Sequence, residues 1–173
     1  ARFTALLHHV SLHRLMRAFD DLKKGASPGV DGVTWHAYEQ DLHENLRDLQ
    51  AAVVEHDADL GLAFDGDADR CFVIDEHGDP VSPSAITALV AARELARNGG
   101  KGVIIHNLIT SWSVPEVVRE HGGTPVRTRV GHSFIKAEMA TSGAIFGGEH
   151  SAHYYFRDFW NADTGMLAAL HVL

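Results

Sequence analysis

Apolar and polar positions along the chain follow two different periods. Leu12, Leu15, Met16, Phe19 and Leu22 recur at helical spacing and share one face. The stretch KKGASPGVDGVT interrupts them with Gly25, Pro28, Gly29 and Gly32, which is the composition of a loop. Tyr38, Leu42, Leu46, Leu49 and Val53 then form a second apolar stripe between polar residues. From Ala58 onward short apolar runs alternate with helical patterns. LGLAF and CFVIDE read as strands on either side of an acidic loop, with EHGDP as the following turn. SPSAITALVAARELARNGG has a helix start at Ser82 or Ser84 and a glycine stop at Gly99. GVIIHNL is a buried strand, and SVPEVVREHGG is a helix that tolerates Pro115 in its first turn. TPVRTRV is a strand, GHSFIKAEMATSG a helix, and AIFGGE a strand leading into HSAHYYF. ADTGMLAALHVL is a helix capped by Asp163 or Thr164. Strands alternating with helices of this length predict a layered α/β domain.

Composition narrows the function classes. The 173 residues carry 15 Lys and Arg against 23 Asp and Glu, a formal net charge of -8, which argues against a surface that tracks nucleic-acid phosphates. The single cysteine, Cys71, excludes an intrachain disulfide and fits a reducing compartment, where it reads as a buried thiol in a strand. No apolar run approaches the ~20 residues of a membrane span, and the first residues lack a secretory pattern, so a soluble cytoplasmic location is expected.

The loop DGDADR concentrates the chemistry. Asp65, Asp67 and Asp69 alternate with small residues, and carboxylates this close repel unless a cation lies among them. A solvated acidic turn is one reading. An EF-hand calcium loop is another, since the aspartates match its first, third and fifth positions and Glu76 its twelfth. Its sixth position demands glycine and here is Arg70, and the flanks read as strands. Magnesium accounts for all four polar residues, because alternate oxygen ligands leave positions for a substrate phosphate that Arg70 can grip bidentately.

DGDADR resembles the metal loop of the α-D-phosphohexomutases, the phosphomannomutase and phosphoglucomutase enzymes. TRVGHSFIK resembles that family's Gly-His segment with a nearby lysine, and GGEHSAHYYF resembles its sugar-binding loop, usually G-E-x-S-G-H. Order and spacing also fit, over about Asn45 to Leu173. The resemblance implies a layered α/β/α phosphohexomutase-type domain with a helical N-terminal extension. It implies Asp65, Asp67 and Asp69 as ligands of Mg2+, with Arg70 beside the transferred phosphate. It places His132 in the cleft with Lys136 near it, Glu149 and Ser151 on the sugar hydroxyls, and His153 completing that substrate-binding loop. Ala152 stands where the family usually has glycine, and its methyl group asks for an unstrained backbone.

Residues 1 to about 49 differ. AFDDLKKGASPGVDGVTWHAYEQDLHENLRDL is similar to the N-terminal fingers of group II intron reverse transcriptases, chiefly through GVDGVT. The polymerase's catalytic aspartate pair is missing. The two resemblances meet in Glu44–Gln50, so the chain reads as a junction of two partial sequences. The expected organisation is a helical segment over 1–44, the C-terminal part of mutase domain 2 with the metal loop over 45–77, and mutase domain 3 over 78–173. No Ser-His-Asn-Pro-like loop, the family's phosphoryl carrier, occurs in the sequence. The expected function is therefore phosphohexomutase-type interconversion of mannose or glucose 1- and 6-phosphates, in a chain incomplete and inactive alone, with a hexose bisphosphate as the intact family's activator. The alternatives are a non-catalytic sugar-phosphate or metal-binding module, or a nucleic-acid-associated reverse-transcriptase fragment.

Overall fold

The computed structural model describes residues 42–173, with side-chain environments from Arg47 onward. Of the helical segment expected over residues 1–44, residues 1–41 lie outside the described residues. Among the described residues, no helix is long and apolar enough to cross a membrane. The chain divides into two compact units, one reaching to Ala68 and including Phe72–Ser82, the other made of Asp69–Cys71 and Pro83–Leu173.

In the first unit, helix α1 (Leu42–Glu55) precedes strands β1 (Leu60–Phe64), β2 (Cys71–Asp75) and β3 (Pro80–Val81), which form a three-stranded sheet in that order. Val53 of α1 and Val73 and Ile74 of β2 are buried, as the apolar pattern predicts. The turn from β2 to β3 is built by Asp75, whose Oδ1 accepts the N–H groups of His77 and Asp79 at 3.0 and 2.8 Å. β3 continues where the sequence suggests only a turn, pairing antiparallel with β2.

The second unit has a five-stranded sheet of order β5-β4-β6-β7-β8. Its elements are α2 (Pro83–Arg97), β4 (Val103–Asn107), α3 (Ser113–Glu120), β5 (Thr124–Thr128), α4 (His132–Ser142), β6 (Phe146–Gly148), β7 (Tyr154–Phe156), a 3-10 turn at Arg157–Phe159, β8 (Ala162–Asp163) and α5 (Gly165–Val172). β4 runs parallel to both β5 and β6, whereas β6–β7 and β7–β8 are antiparallel. Two adjacent glycines of β6 fix the layers. A Cβ on Gly147 would meet Ile135 and Met139 of α4, and one on Gly148 would meet Thr87 of α2 at 2.4 Å. Successive strand residues face opposite sides, so α4 and α2 cover opposite faces of the sheet. The layering is α/β/α, as expected.

Each face has its own core. Ile105, Ile135, Met139, Ala144 and Tyr155 pack together under α4. Ala88, Val114 and Val117 join α2 to α3. The last helix is capped by Thr164, whose hydroxyl accepts the Leu167 N–H at 3.4 Å, so of the two candidate caps Thr164 serves and Asp163 is left for other work. The parallel strands β4, β5 and β6 all end on the same edge of the sheet, and the loop that leaves β6 at this edge contains Glu149, Ser151 and His153.

Candidate active site

The loop after β6 folds back tightly. The Glu149 N–H donates to the His153 carbonyl at 3.0 Å, and the Ala152 N–H to the Glu149 carbonyl at 3.2 Å. This return places Ala152 at φ 67°, in the left-handed region, with its methyl group fully buried. The expectation of an unstrained backbone at Ala152 is therefore corrected. The loop keeps the turn that glycine would favour and places an alanine in it, at a cost of roughly 1–2 kcal/mol.

Glu149 is 2% exposed, and donors from three segments surround its carboxylate. Oε1 accepts from Asn107 Nδ2 at 3.0 Å and from the Gly131 N–H at 3.1 Å. Oε2 accepts from the Tyr155 hydroxyl at 2.7 Å. Burial, with the adjacent Glu149 charge, pushes the Tyr155 phenol far above its ordinary range, so it remains a donor. The end of β4, the start of α4 and β7 thus converge on one carboxylate. These three hydrogen bonds offset the cost of burying so polar a side chain.

His153 joins this group to the aspartate loop. Arg70 Nε donates to His153 Nε2 at 3.0 Å, Arg70 and His153 form an antiparallel bridge, and the Cys71 N–H donates to the Ala152 carbonyl at 3.3 Å. A guanidinium only donates, so Nε2 accepts and the proton of the neutral ring sits on Nδ1. There it faces Ser151 Oγ at 3.0 Å, with Glu149 Oε2 at 3.6 Å. Asp69 Oδ1 lies 3.6 Å from His153 Nε2 and 3.9 Å from Arg70 Nε. Ligand atoms of Asp69, His153 and Asp163 all lie within 4.8 Å of one another. Lys136 Nζ reaches Asp163 Oδ1 at 2.7 Å and lies 5.7 Å from the Tyr155 ring centroid. Arg70 and Lys136 thus counter the carboxylates around the imidazole.

The remaining expected residues fall as follows. His132 is the exposed first residue of α4, next to Gly131, whose N–H anchors Glu149. Asp65 and Asp67 belong to the first unit and Asp69 to the second. Within the turn the Ala68 N–H donates to the Asp65 carbonyl at 3.0 Å, and Ala68 takes φ 56°, so the chain reverses between the aspartates. Three carboxylates on alternate residues of one turn supply the all-oxygen donor set that a hard divalent cation requires. Cys71 is fully buried, and its burial pushes the thiol up to about 11, so it is an inert strand residue as expected.

Sequence reading missed Asn107, Tyr155 and Asp163 as members of this site. One signal was available for Asn107, a polar residue closing the apolar run VIIHN at the carboxyl end of a strand.

The description "Phosphoglucomutase/phosphomannomutase, alpha/beta/alpha domain III" matches residues 82–173, and the corresponding domain II matches 26–78. Phosphomannomutases of Salmonella typhimurium (strain LT2) and Escherichia coli (strain K12) are each 49% identical over 131 residues, covering 76% of this chain and 28% of theirs. A phosphoglucomutase/phosphomannomutase family protein from Burkholderia thailandensis superposes with a TM-score of 0.68 at 37% identity, over 73% of this chain and 28% of that one. The chain thus spans about 28% of the length of the curated relatives it matches. With the domain III match alone covering the whole α/β/α unit and its carboxylate-centred loop, the chain belongs to the phosphoglucomutase/phosphomannomutase family.

Proposed function

We propose that the chain serves phosphomannomutase/phosphoglucomutase-type chemistry, the interconversion of hexose 1- and 6-phosphates of mannose or glucose. In this reading, residues 45–77 supply the metal loop of mutase domain 2 and residues 78–173 the sugar loop of domain 3. One observation carries it: the end of the aspartate loop is bonded to the 149–153 loop, through Arg70 Nε to His153 and the Cys71 N–H to Ala152. A residue suited to a phosphate oxygen is thereby held against residues suited to sugar hydroxyls.

Asp65, Asp67 and Asp69 would hold Mg2+, which when bound neutralises charge on a phosphoryl group during transfer. Arg70 orients a phosphate oxygen. Ser151 and His153 exchange hydrogen bonds with the sugar, and Glu149 fixes the loop that presents them while accepting from a hydroxyl that displaces one of its donors. His153 holds its proton on Nδ1 toward Ser151, and Lys136, steadied by Asp163, adds positive charge. His132 lines the open side. A hexose bisphosphate activates the intact family by resemblance, and a cytoplasmic location suits sugar-phosphate substrates.

Residues 1–173 by themselves should bind without turning over, because no Ser-His-Asn-Pro-like nucleophile stands among them. The reverse-transcriptase likeness of residues 1–44 is a separate reading, and the domain II match from residue 26 overlaps it. The test is a coupled assay of this chain with mannose 1-phosphate or glucose 1-phosphate, Mg2+ and a hexose bisphosphate, beside calorimetric Mg2+ titration. Weak Mg2+ binding that disappears in Asp67→Asn, without sustained turnover, is expected. Equal binding by wild type and Asp67→Asn defeats the metal assignment, and sustained turnover defeats the inactivity of the fragment.

A further inference from the structure

The segment between β4 and α3, residues 108–112, is tied at both ends to the region of the 149–153 loop. At its start, Asn107 Nδ2 donates to Glu149 Oε1 at 3.0 Å, while Asn107 Oδ1 accepts the Ile109 N–H at 3.3 Å. At its end, the Ser111 N–H donates to Ser84 Oγ at 3.1 Å, and the same oxygen lies 2.9 Å from His150 Nδ1. Ser84 sits in the first turn of α2 and is 1% exposed. A serine hydroxyl has one proton and two acceptor sites, so it can take the amide of Ser111 and still bond the imidazole. An aliphatic residue there would leave the Ser111 amide and the imidazole nitrogen without this partner. His150 lies between Glu149 and Ser151, so its anchoring bears on both.

We propose that Ser84 is a positioning residue for the sugar loop: through His150 its hydroxyl couples the 108–112 and 149–153 loops into one rim around the sugar phosphate. Ser84 does not touch the sugar. It acts by holding the backbone on either side of His150, and small misplacements of positioned groups weaken binding disproportionately. The proposal rests on the reading of residues 149–153 as a sugar-binding loop.

The test compares wild type, Ser84→Ala, His150→Phe and His150→Asn in the full 173-residue chain, with amide hydrogen exchange and mannose 1-phosphate titration as readouts. His150→Asn keeps a polar atom near the position of Nδ1, and His150→Phe removes it. Ser84→Ala and His150→Phe should speed exchange in residues 108–112 and 149–153 together, leave α4 unchanged, and weaken mannose 1-phosphate about fivefold, the factor for one hydrogen bond. His150→Asn should restore both readouts, and the double variant should be no worse than either single one. Unchanged exchange, faster exchange in only one loop, or no restoration by His150→Asn overturns the coupling. Should Ser84→Ala fail to fold, the His150 pair carries the same comparison. Wild type that does not bind mannose 1-phosphate defeats the sugar reading, and with it the sugar half of this proposal, whereas exchange still decides the coupling.

Discussion

Ala152 and Glu149 show how much of the site depends on single side chains. Ala152 holds φ 67° with a buried methyl group. Ala152→Gly removes the left-handed penalty but gives the unfolded chain about 0.5–1 kcal/mol of extra freedom. The expected outcome is a stability between unchanged and ~1 kcal/mol higher, whereas Ala152→Val, β-branched at a positive φ, loses more than ~2 kcal/mol. Denaturant midpoints of the two variants check this, and a clear loss in Ala152→Gly contradicts it. Glu149→Gln turns one acceptor oxygen into a donor facing Tyr155, or Asn107 and Gly131. Its expected cost is about 2–3 kcal/mol of stability, together with loss of sugar-phosphate affinity, measured by thermal unfolding and titration. The motif residues were legible because each motif is contiguous: Asp65 to Arg70, and Glu149 to His153. Asn107 was not, because its partner Glu149 lies 42 residues away. Ser84 and Asp163 each read as a helix cap, a local role that hides a long-range one.

At the scale of elements, the sequence located every α-helix of the described residues, α1 by its apolar stripe and the others chiefly by start signals, glycine stops and caps. The two-residue strands β3 and β8 escaped this reading, being too short to show any period. Their pairing comes from the hairpin geometry of their neighbours. The attachment of α5 to α2 was equally illegible. Glu94 of α2 is buried and accepts from His171 Nε2 at 3.1 Å and Arg97 at 2.6 Å, while His171 stacks on Phe156 at 5.6 Å. The His171 hydrogen bond, aided by Arg97 and against burial, holds the Glu94 carboxyl below its usual range. A depressed folded pKa stabilises above the unfolded value and loses that contribution as pH falls through the folded one. Acidification below about pH 4.5 should therefore loosen α5, and Glu94→Gln should flatten this acid limb while lowering Tm near neutrality by about 3 °C. Tm measured against pH for both proteins tests it. Parallel acid limbs would show that Glu94 contributes nothing to the latch.

At the scale of the whole molecule, the family and the α/β/α layering were legible because three motifs occur in the right order in a strand–helix alternation. The division into compact units was less so, because DGDADR reads as one loop while its residues are shared between the units. Arg70 and Cys71 go with the second unit because they hydrogen-bond to the return of the 149–153 loop, which no local pattern announces. The central claim is the proposal that Arg70 and the 149–153 loop, both of the second unit, present one sugar-phosphate site. It is tested most directly by titrating the isotope-labelled 173-residue chain with mannose 1-phosphate and Mg2+ while following backbone amides. Saturable shifts concentrated at Asp69, Arg70, residues 131–136 and residues 149–153, weakened about tenfold or more by His153→Ala, are predicted. Absent shifts, or shifts scattered over the surface and indifferent to His153→Ala, would contradict the account.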